Sequence, residues 1–328
     1  MKHQVARLGG RIAVLAMSAL LLRMGFAESA NGFETGFETG GFETGSFQTT
    51  ELAPGNHVHY GSIAERTAAN RGDIANIGFI VGDDCVLAVD AGGSLAVGQA
   101  LRQAIRRVTD KPVCYVILTH VHPDHFFGAA AFLPDRPQFV AHENYPQQLA
   151  ARARPYINAL RRDLGDAADG SEIVNPTLLV KDRVEFDLGG RKVTVQAWPL
   201  AHTDDDLTVY DNLTRTLWLA DLLFVGHTPV IDGSITGFLG VIDRLRTIDA
   251  EHHVPGHGRS EAAWPAVMDA QQRYFEVILK ETRAAIRARK TIQQATGEVG
   301  LSEEKNWAMF DLYHRRNVTT AYAELEWE

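Results

Sequence analysis

The sequence predicts an α/β fold in which two β-sheets pack together and helices cover their outer faces. From His57 onward, short runs rich in β-branched and aromatic residues are bounded by turn residues, which is typical of strands. Segments with helical spacing of apolar residues lie between these runs. The chain has 328 residues, of which 45% are hydrophobic and 22% charged. This composition is globular, and the length is sufficient to bury a core.

Charge and cysteine content exclude several classes of protein. The chain has 32 basic and 41 acidic residues, a formal charge of −9, and no basic stripe, so nucleic acid is not an expected partner. Its two cysteines permit neither a thiolate zinc cage nor a disulfide scaffold. Because Cys85 and Cys114 each open a predicted buried strand, we expect free core thiols, although export would permit a disulfide. Any metal must be held by histidine and carboxylate.

Residues 1–27 have the features of a secretory signal peptide. They carry four basic residues and no acid, and the apolar run at residues 12–22 is too short to span a bilayer. We expect cleavage after Ala27, which gives a periplasmic or secreted protein without stable membrane insertion. An uncleaved anchor is the alternative, because Arg23 lies directly behind the apolar run.

Residues 28–52 form a low-complexity segment in which Phe-Glu-Thr-Gly begins at Phe33, Phe37 and Phe42, with a looser copy at Phe47. A unit of four or five residues with one Phe cannot bury a face against its neighbours, so we do not expect a solenoid. We predict a flexible spacer, with a docking segment as the alternative. The folded domain is predicted at residues 53–328, with helices at its C-terminal end.

The predicted domain begins with a hairpin of buried strands at residues 77–81 and 85–90, joined by a Gly-Asp-Asp turn. Ser94 is placed to cap a helix whose apolar residues recur at helical spacing as far as Val108. The next buried strand covers residues 115–119. A strand, a helix and a strand in this order predict a parallel crossover, with a loop at the carboxyl end of the second strand.

The remaining elements are predicted from the same periodicities. Further strands are expected at residues 139–141, 183–186, 192–197, 207–210, 216–219 and 252–254. Helices are expected at residues 145–164, 241–248, 262–289 and 303–323.

The loop after residues 115–119 carries the strongest chemical signal in the chain. It places four candidate ligands within six positions, namely His120, His122, Asp124 and His125. In an extended segment residues i and i+2 share a face, so the first two can bind one ion, while the other two, beyond Pro123, can bind a second. Imidazole and carboxylate suit Zn(II), and also Fe(II) or Mn(II). The alternative is a polar turn with unrelated histidines.

The pattern His-x-His-x-Asp-His at the end of a strand resembles the signature of the metallo-β-lactamase superfamily. This resemblance implies a four-layer αβ/βα sandwich with a two-metal site at its edge and three later ligands, a His, an Asp and a His. In this chain His202, Asp221 and His257 follow in that order. The implied assignment gives His120, His122 and His202 to one ion, Asp124, His125 and His257 to the other, and makes Asp221 the bridge.

The local sequence supports these later ligands to different degrees. His202, followed by Thr, is weak on its own. Asp221 closes an apolar strand, where an unpaired carboxylate would be costly. Glycines flank His257, and because glycine has no side chain, the backbone on either side of His257 can approach its neighbours closely. A Gly-His-Thr-Pro string at residues 226–229, common in the superfamily, follows Asp221 instead of preceding it. We therefore expect His227, with Asp232, to line the substrate mouth, and a structural role is the equal alternative.

These residues predict a metal-dependent hydrolase with two Zn(II) ions, or Fe(II) as the alternative. A closely spaced pair of ions can lower the pKa of a shared water toward about 7, and we expect Asp124 and Asp221 to orient that nucleophile and move its proton. The expected substrate is a small ester, thioester or lactam. His122 stands where flavodiiron enzymes usually carry Glu, and class B β-lactamases generally lack the bridging Asp, so both branches are disfavoured.

Residues 58–328 also resemble a periplasmic group called quinoprotein relay system zinc metallohydrolases, which is related to hydrolases of sulfur-oxidation clusters. The matching stretches are residues 68–70, 73–82, 226–233 and 317–328. The resemblance implies association with a quinoprotein dehydrogenase and leaves the substrate open. Two other functions stay open: a mononuclear iron enzyme that oxidises sulfur or persulfide, and a non-catalytic, metal-bound accessory protein of a quinoprotein system.

Overall fold

Two β-sheets form the centre of the fold in the computed structural model, which describes residues 47–328. The first sheet has the strand order β1-β2-β3-β4-β5-β6-β7, and the second has the order β12-β11-β10-β9-β8. The strands of the first sheet are Thr50–Ala53 (β1), Asn56–His59 (β2), Ile77–Val81 (β3), Val86–Val89 (β4), Val113–Ile117 (β5), Gln138–His142 (β6) and Leu178–Val180 (β7). Those of the second are Arg183–Asp187 (β8), Lys192–Ala197 (β9), Leu207–Asp211 (β10), Thr216–Phe224 (β11) and His252–His257 (β12).

Helices lie between and after these strands. They are Leu95–Val108 (α1), Pro123–Phe126 (α2), Tyr145–Leu164 (α3), Ile235–Leu245 (α4), Asp269–Arg287 (α5), Ile292–Ala295 (α6) and Phe310–Leu325 (α7). Short 3-10 segments occupy Phe127–Asp135, Gly165–Ala168, Ala266–Met268 and Leu301–Asn306. Among residues 47–328, none of the helices combines the length and the apolar composition that crossing a bilayer requires.

Three apolar layers hold the sheets and helices together. Val58, Val89 and Val209 belong to a layer between the two sheets. A second layer packs α1 and α3 on the outer face of the first sheet, and a third packs α4, α5 and α7 on the second sheet. The order helix, sheet, sheet, helix confirms the predicted four-layer αβ/βα sandwich.

The early elements form as the sequence predicts. Strands β3 and β4 pair antiparallel, and β4 and β5 pair parallel across α1, so both the hairpin and the crossover are confirmed. The Ser94 hydroxyl accepts a hydrogen bond from the Val97 N–H at 3.4 Å and caps α1. Helix α4 begins at Ile235, earlier than predicted, because Ser234 caps it. The sequence analysis did not identify β1, β2 and β7, which are four residues or shorter.

The two cysteines are joined in a disulfide, with their Cα atoms 5.9 Å apart, and no cysteine within residues 47–328 is free. The expectation of free core thiols was therefore wrong. Parallel pairing of β4 and β5 sets Val86 opposite Val113. Cys85 and Cys114 each lie one residue from this pair, so the pairing brings them close together. That proximity depends on strand register, which the spacing of two cysteines does not reveal.

The predicted signal peptide and most of the predicted spacer lie outside the described residues. The end of the spacer segment, however, is part of the fold. Phe47 is buried and stacks on His59 with ring centroids 3.7 Å apart, and β1 begins at Thr50. Residues 47–52, which the sequence analysis assigned to the spacer, thus include a buried side chain and most of a strand.

Candidate metal centre

Seven side chains converge at one edge of the sandwich in two groups of candidate ligands. The first group is His120, His122, His202 and Asp221, and the second is Asp124, His125 and His257. Within each group the ligand atoms lie within 4.8 Å of one another. These are the seven residues that the sequence analysis selected, and Asp221, which it assigned as the bridge, falls in the first group. We call them the first and second donor groups.

Strand ends and loops at the same edge position these side chains. The four that come earliest in the sequence lie in the turn after β5 and in α2, which begins at Pro123. They are His120, His122, Asp124 and His125. His202 lies in the loop between β9 and β10, Asp221 lies within β11, and His257 ends β12. Because β11 and β12 run parallel, Asp221 and His257 reach the same edge.

Asp221 faces both donor groups, one with each carboxylate oxygen. Its Oδ2 atom lies 3.3 Å from His202 Nε2 and 3.6 Å from His120 Nε2. Its Oδ1 atom lies 3.2 Å from His125 Nε2 and 3.4 Å from His257 Nε2. This placement is the geometry that a bridging ligand requires.

The backbone around Asp221 is adapted to this position. Ala220 has a φ of +46°, a left-handed conformation that costs a non-glycine residue roughly 1–3 kcal/mol. On the neighbouring strand, a Cβ atom at Gly256 would lie 2.0 Å from Asp221 Oδ1. Glycine at position 256 is therefore required for the carboxylate to occupy the space between the groups.

Hydrogen bonds to the outer nitrogens fix the imidazole orientations. The Nδ1–H groups of three histidines donate to Val230 O (His202, 2.8 Å), to Ile74 O (His257, 2.9 Å) and to Asp90 Oδ2 (His125, 2.8 Å). Their Nε2 atoms consequently face the donor groups.

His122 has the opposite orientation. Its Nε2–H donates to Asp232 Oδ2 at 2.9 Å, and its Nδ1 atom lies 2.9 Å from His202 Nε2. Asp232, predicted to line the substrate mouth, thus also orients a member of the first donor group.

The residues fit divalent cations. His120 Nε2, His125 Nε2 and Asp221 Oδ1 are buried and have no hydrogen-bond partner among the described residues. Buried polar atoms are normally satisfied, so three such atoms aimed at one another indicate a missing positive partner. Nitrogen and carboxylate ligands without thiolate suit Zn(II) and also Fe(II).

Burial and nearby charge shift the histidine pKa values of the two donor groups in opposite directions. Burial lowers the pKa of His122 to about 4 and that of His202 to about 3, so both are neutral ligands near pH 7. Burial also acts to lower the pKa of His257, but the carboxylates of Asp221 and Asp124 outweigh it and raise that pKa to about 9. The two carboxylates therefore favour a positive charge, either a proton or a metal cation, beside His257.

A cavity of about 570 Å³ lies over the two donor groups. His227 and Asp232 both line it, and their role in substrate binding stays a prediction. The Nδ1–H of His227 donates to Thr228 O at 2.7 Å, and its ring lies 5.0 Å from the rings of His257 and Tyr313. The imidazole is thus held beside the second donor group with Nε2 as its remaining acceptor.

Sequence reasoning missed Asp90, which is buried and holds His125. Its carboxylate also accepts hydrogen bonds from the Thr119 N–H and hydroxyl, both at 2.9 Å. Asp90 has a φ of +58°, which turns the chain sharply after β4. Its position after an apolar strand is the signal that identified Asp221, and the same reasoning could have found it.

Helix α7 holds the loop that orients the first donor group. Asn317 is fully buried, and its amide accepts from the Ile231 N–H at 3.0 Å and donates to Pro229 O at 2.6 Å. These contacts fix both sides of Val230, whose carbonyl orients His202. The neighbouring Arg316 pairs with Asp232, which orients His122. No local motif marks Asn317, because these two partners are more than 80 positions away in sequence.

Comparison with known families agrees with this geometry. The family model described as the metallo-beta-lactamase superfamily matches residues 70–292. The chain belongs to the metallo-β-lactamase superfamily. Membership places it among metal-dependent hydrolases and related enzymes, and it confirms the superfamily resemblance seen in the sequence. The narrower resemblance to the quinoprotein group stays a prediction.

Two curated relatives match part of the chain. The 2,4-dinitroanisole O-demethylase subunit alpha of Nocardioides sp. (strain JS1661) is 31% identical over 182 residues, covering 54% of this chain and 51% of the relative. The linear primary-alkylsulfatase of Pseudomonas sp. (strain ATCC 19151) is 24% identical over 237 residues, covering 61% and 43% respectively. The chain thus spans about half the length of these relatives.

Solved structures share the fold. A stereoselective inverting sec-alkylsulfatase from Pseudomonas sp. aligns with a TM-score of 0.66 at 15% identity, over 85% of this chain and 50% of its own. A metallo-beta-lactamase from Pontibacter korlensis aligns with a TM-score of 0.56 at 17% identity, over 70% and 99%. At these identities the likeness extends to the fold alone.

Proposed function

We propose that the protein is an exported hydrolase in which the two donor groups hold two zinc ions and the substrate is a small ester, thioester or lactam. The observation that carries this proposal is Asp221, which presents one carboxylate oxygen to each group. Two Zn(II) ions bound there would polarise the substrate oxygen and lower the pKa of a water.

The chain's own residues supply orientation and proton transfer. Asp124 lines the cavity, and its Oδ2 atom lies 3.3 Å from His257 Nε2, so its carboxylate can orient a water and accept a proton. His227 presents a neutral acceptor nitrogen at the same wall, since burial lowers its pKa to about 4. The cavity of about 570 Å³ suits a small molecule.

The test combines metal analysis with a substrate panel. Protein purified without added metal should contain two zinc ions per chain and hydrolyse one of the three acyl classes, and Asp221→Ala should reduce that turnover by at least about 100-fold. One iron per chain with oxygen uptake on a persulfide would support the mononuclear iron alternative instead. Zinc-loaded protein that hydrolyses nothing in the panel would support the accessory-protein alternative.

Sulfate-ester hydrolysis is a second candidate, because alkylsulfatases occur both among the curated relatives and among the similar structures. Water would cleave the ester to an alcohol and hydrogen sulfate, with no other reactant. Including a linear alkyl sulfate in the same panel, with sulfate release as the readout, decides between this candidate and acyl hydrolysis.

Export is supported by the composition of residues 1–27 and by the disulfide between Cys85 and Cys114, since disulfides persist in oxidising compartments. In fractionated cells we expect the protein in the periplasm or medium, with its N-terminus directly after Ala27 and no alkylatable thiol. Precursor-sized protein in the cytoplasm with two free thiols would contradict the proposal.

The proposed partner is a quinoprotein dehydrogenase, and the support is the resemblance of residues 226–233 and 317–328 to the quinoprotein-linked group. A purified quinoprotein alcohol dehydrogenase and this protein should co-elute in gel filtration at micromolar concentration. Separate elution at every concentration tested would contradict the proposed partner. It would not bear on the proposed hydrolase activity.

A further inference from the structure

Three arginines line the cavity over the donor groups, together with five acidic residues. Of these, Asp163 and Asp232 pair with the arginines, Asp124 and Asp221 belong to the donor groups, and Glu65 is the fifth. The arginines come from three separate parts of the fold: Arg66 from the segment between β2 and β3, Arg162 from α3 and Arg316 from α7. Convergence of guanidinium groups from distant elements on one cavity is not a consequence of local sequence.

The ion pairs of these arginines leave most of their donors free. Asp163 accepts from Arg66 Nε at 2.9 Å and from Arg162 Nε at 2.7 Å, while Arg316 uses one terminal nitrogen for Asp232. Each guanidinium has five N–H donors, and the remaining ones make no hydrogen bond to residues 47–328. The aspartates thus hold the guanidinium groups in place, which lowers the entropic cost of binding a second anion.

Two tyrosines complete the cavity wall. Tyr156 of α3 and Tyr313 of α7 line the cavity, and their hydroxyls make no hydrogen bond within the described part of the chain. Burial raises the pKa of both phenols to about 12, so they are neutral hydrogen-bond donors with apolar rings. Leu312 adds apolar surface beside them.

We propose that the substrate is an organic anion, whose carboxylate, sulfonate or sulfate group is recognised by the free N–H groups of Arg66 and Arg316 while its apolar body contacts Tyr156 and Tyr313. This inference rests on the proposed hydrolase function and narrows its substrate class. Arg316 is separated from the metal-ligand candidate His122 by a single carboxylate, that of Asp232. An anionic group bound by Arg316 therefore lies near the donor groups, and the remainder of a small substrate can extend over them.

Arg66 is the stronger of the two contacts, because its side chain is only 20% exposed, against 53% for Arg316. A hydrogen bond assisted by charge in such a setting is expected to change affinity by about tenfold. Salt screens charges that face solvent, so the preference for an anion should weaken as ionic strength rises.

The kinetic test compares two acetate esters of the same size, 4-acetoxybenzenesulfonate and the neutral 4-acetoxyphenyl methyl sulfone. We expect zinc-loaded wild-type protein to favour the sulfonate by about tenfold or more in kcat/KM. Arg66→Gln and Arg316→Gln should each reduce this ratio by about tenfold, mainly through KM. Arg315→Gln is the matched control, since Arg315 is exposed on the same helix as Arg316 but does not line the cavity.

A binding measurement separates the two proposals. Calorimetry with 4-hydroxybenzenesulfonate and 4-hydroxyphenyl methyl sulfone should show tighter binding of the sulfonate, lost in the Arg66 variant. If no ester, thioester or lactam of the panel is hydrolysed but this binding preference is found, the hydrolase proposal fails and anion recognition stands. If wild-type protein does not distinguish the two molecules, or both arginine variants keep the wild-type ratio, the anion inference is overturned.

Discussion

Replacing Asn317 by alanine should weaken metal binding at the first donor group, although Asn317 touches none of its members. The side chain bonds to both sides of Val230, and the Val230 carbonyl accepts the Nδ1–H of His202 at 2.8 Å. Without these contacts residues 229–231 lose their attachment to α7, and the His202 imidazole loses its fixed orientation.

The magnitude follows from the contacts that are lost. Asn317 makes hydrogen bonds of 2.6 Å to Pro229 O, 3.0 Å from the Ile231 N–H and 2.9 Å to the Tyr274 hydroxyl. Each buried group left unpaired costs about 1–3 kcal/mol, so we expect a loss of about 3 kcal/mol in the free energy of unfolding once water has partly replaced the amide. Losing a group that directly orients a metal ligand lowers metal affinity by about 10–100-fold. Asn317 acts on His202 only through Val230, so we expect the Asn317 variant to lose about tenfold.

The assay is zinc competition with a chelator, run beside urea denaturation of the metal-free protein. Thr319→Ala is the control, because Thr319 is exposed on the same helix and its hydroxyl donates to Arg315 O, within that helix. Tyr274→Phe removes one partner of Asn317 and should give a smaller loss of both stability and affinity. If Asn317→Ala is destabilised but holds zinc as tightly as wild type, α7 does not orient the first donor group and the reasoning is refuted.

Three further predictions concern the site and the fold. Asp221→Ala should reduce turnover by at least about 100-fold with an unchanged far-UV circular dichroism spectrum; wild-type turnover would defeat the bridging assignment. Ligands bind metal in their deprotonated form, and the carboxylates raise the pKa of His257 to about 9, so zinc affinity at the second donor group should increase from pH 6 to pH 9. The first group, with pKa values of about 4 for His122 and about 3 for His202, should change little over that range, which calorimetric proton release can check. A Cys85→Ser, Cys114→Ser double variant should lose about 2–4 kcal/mol of unfolding free energy, since the disulfide closes a loop with a sequence separation of 29; equal urea midpoints with and without the disulfide would contradict this.

Local patterns determined much of the fold. The Ser94 cap and the helical spacing that begins at Val97 predict α1, and apolar runs around a Gly-Asp-Asp turn predict the hairpin of β3 and β4. These signals can be read because the interactions behind them lie within a few residues along the chain. The seven ligand candidates could be chosen from the sequence for a similar reason. Whether a side chain can bind a metal depends on its residue type, and the four earliest candidates lie within six positions of one another.

Only the tertiary structure decided what orients those ligands. Asp90, Asp232 and Asn317 act on partners 29 to 110 positions away, and the disulfide depends on the register of β4 against β5. The arginines of the cavity likewise meet only because α3, α7 and the segment before β3 pack around one opening. The sequence by itself determined which donor atoms are available and in what order. Packing decided which nitrogen of each imidazole faces inward, because that choice depends on hydrogen-bond partners brought close by strand pairing and helix docking.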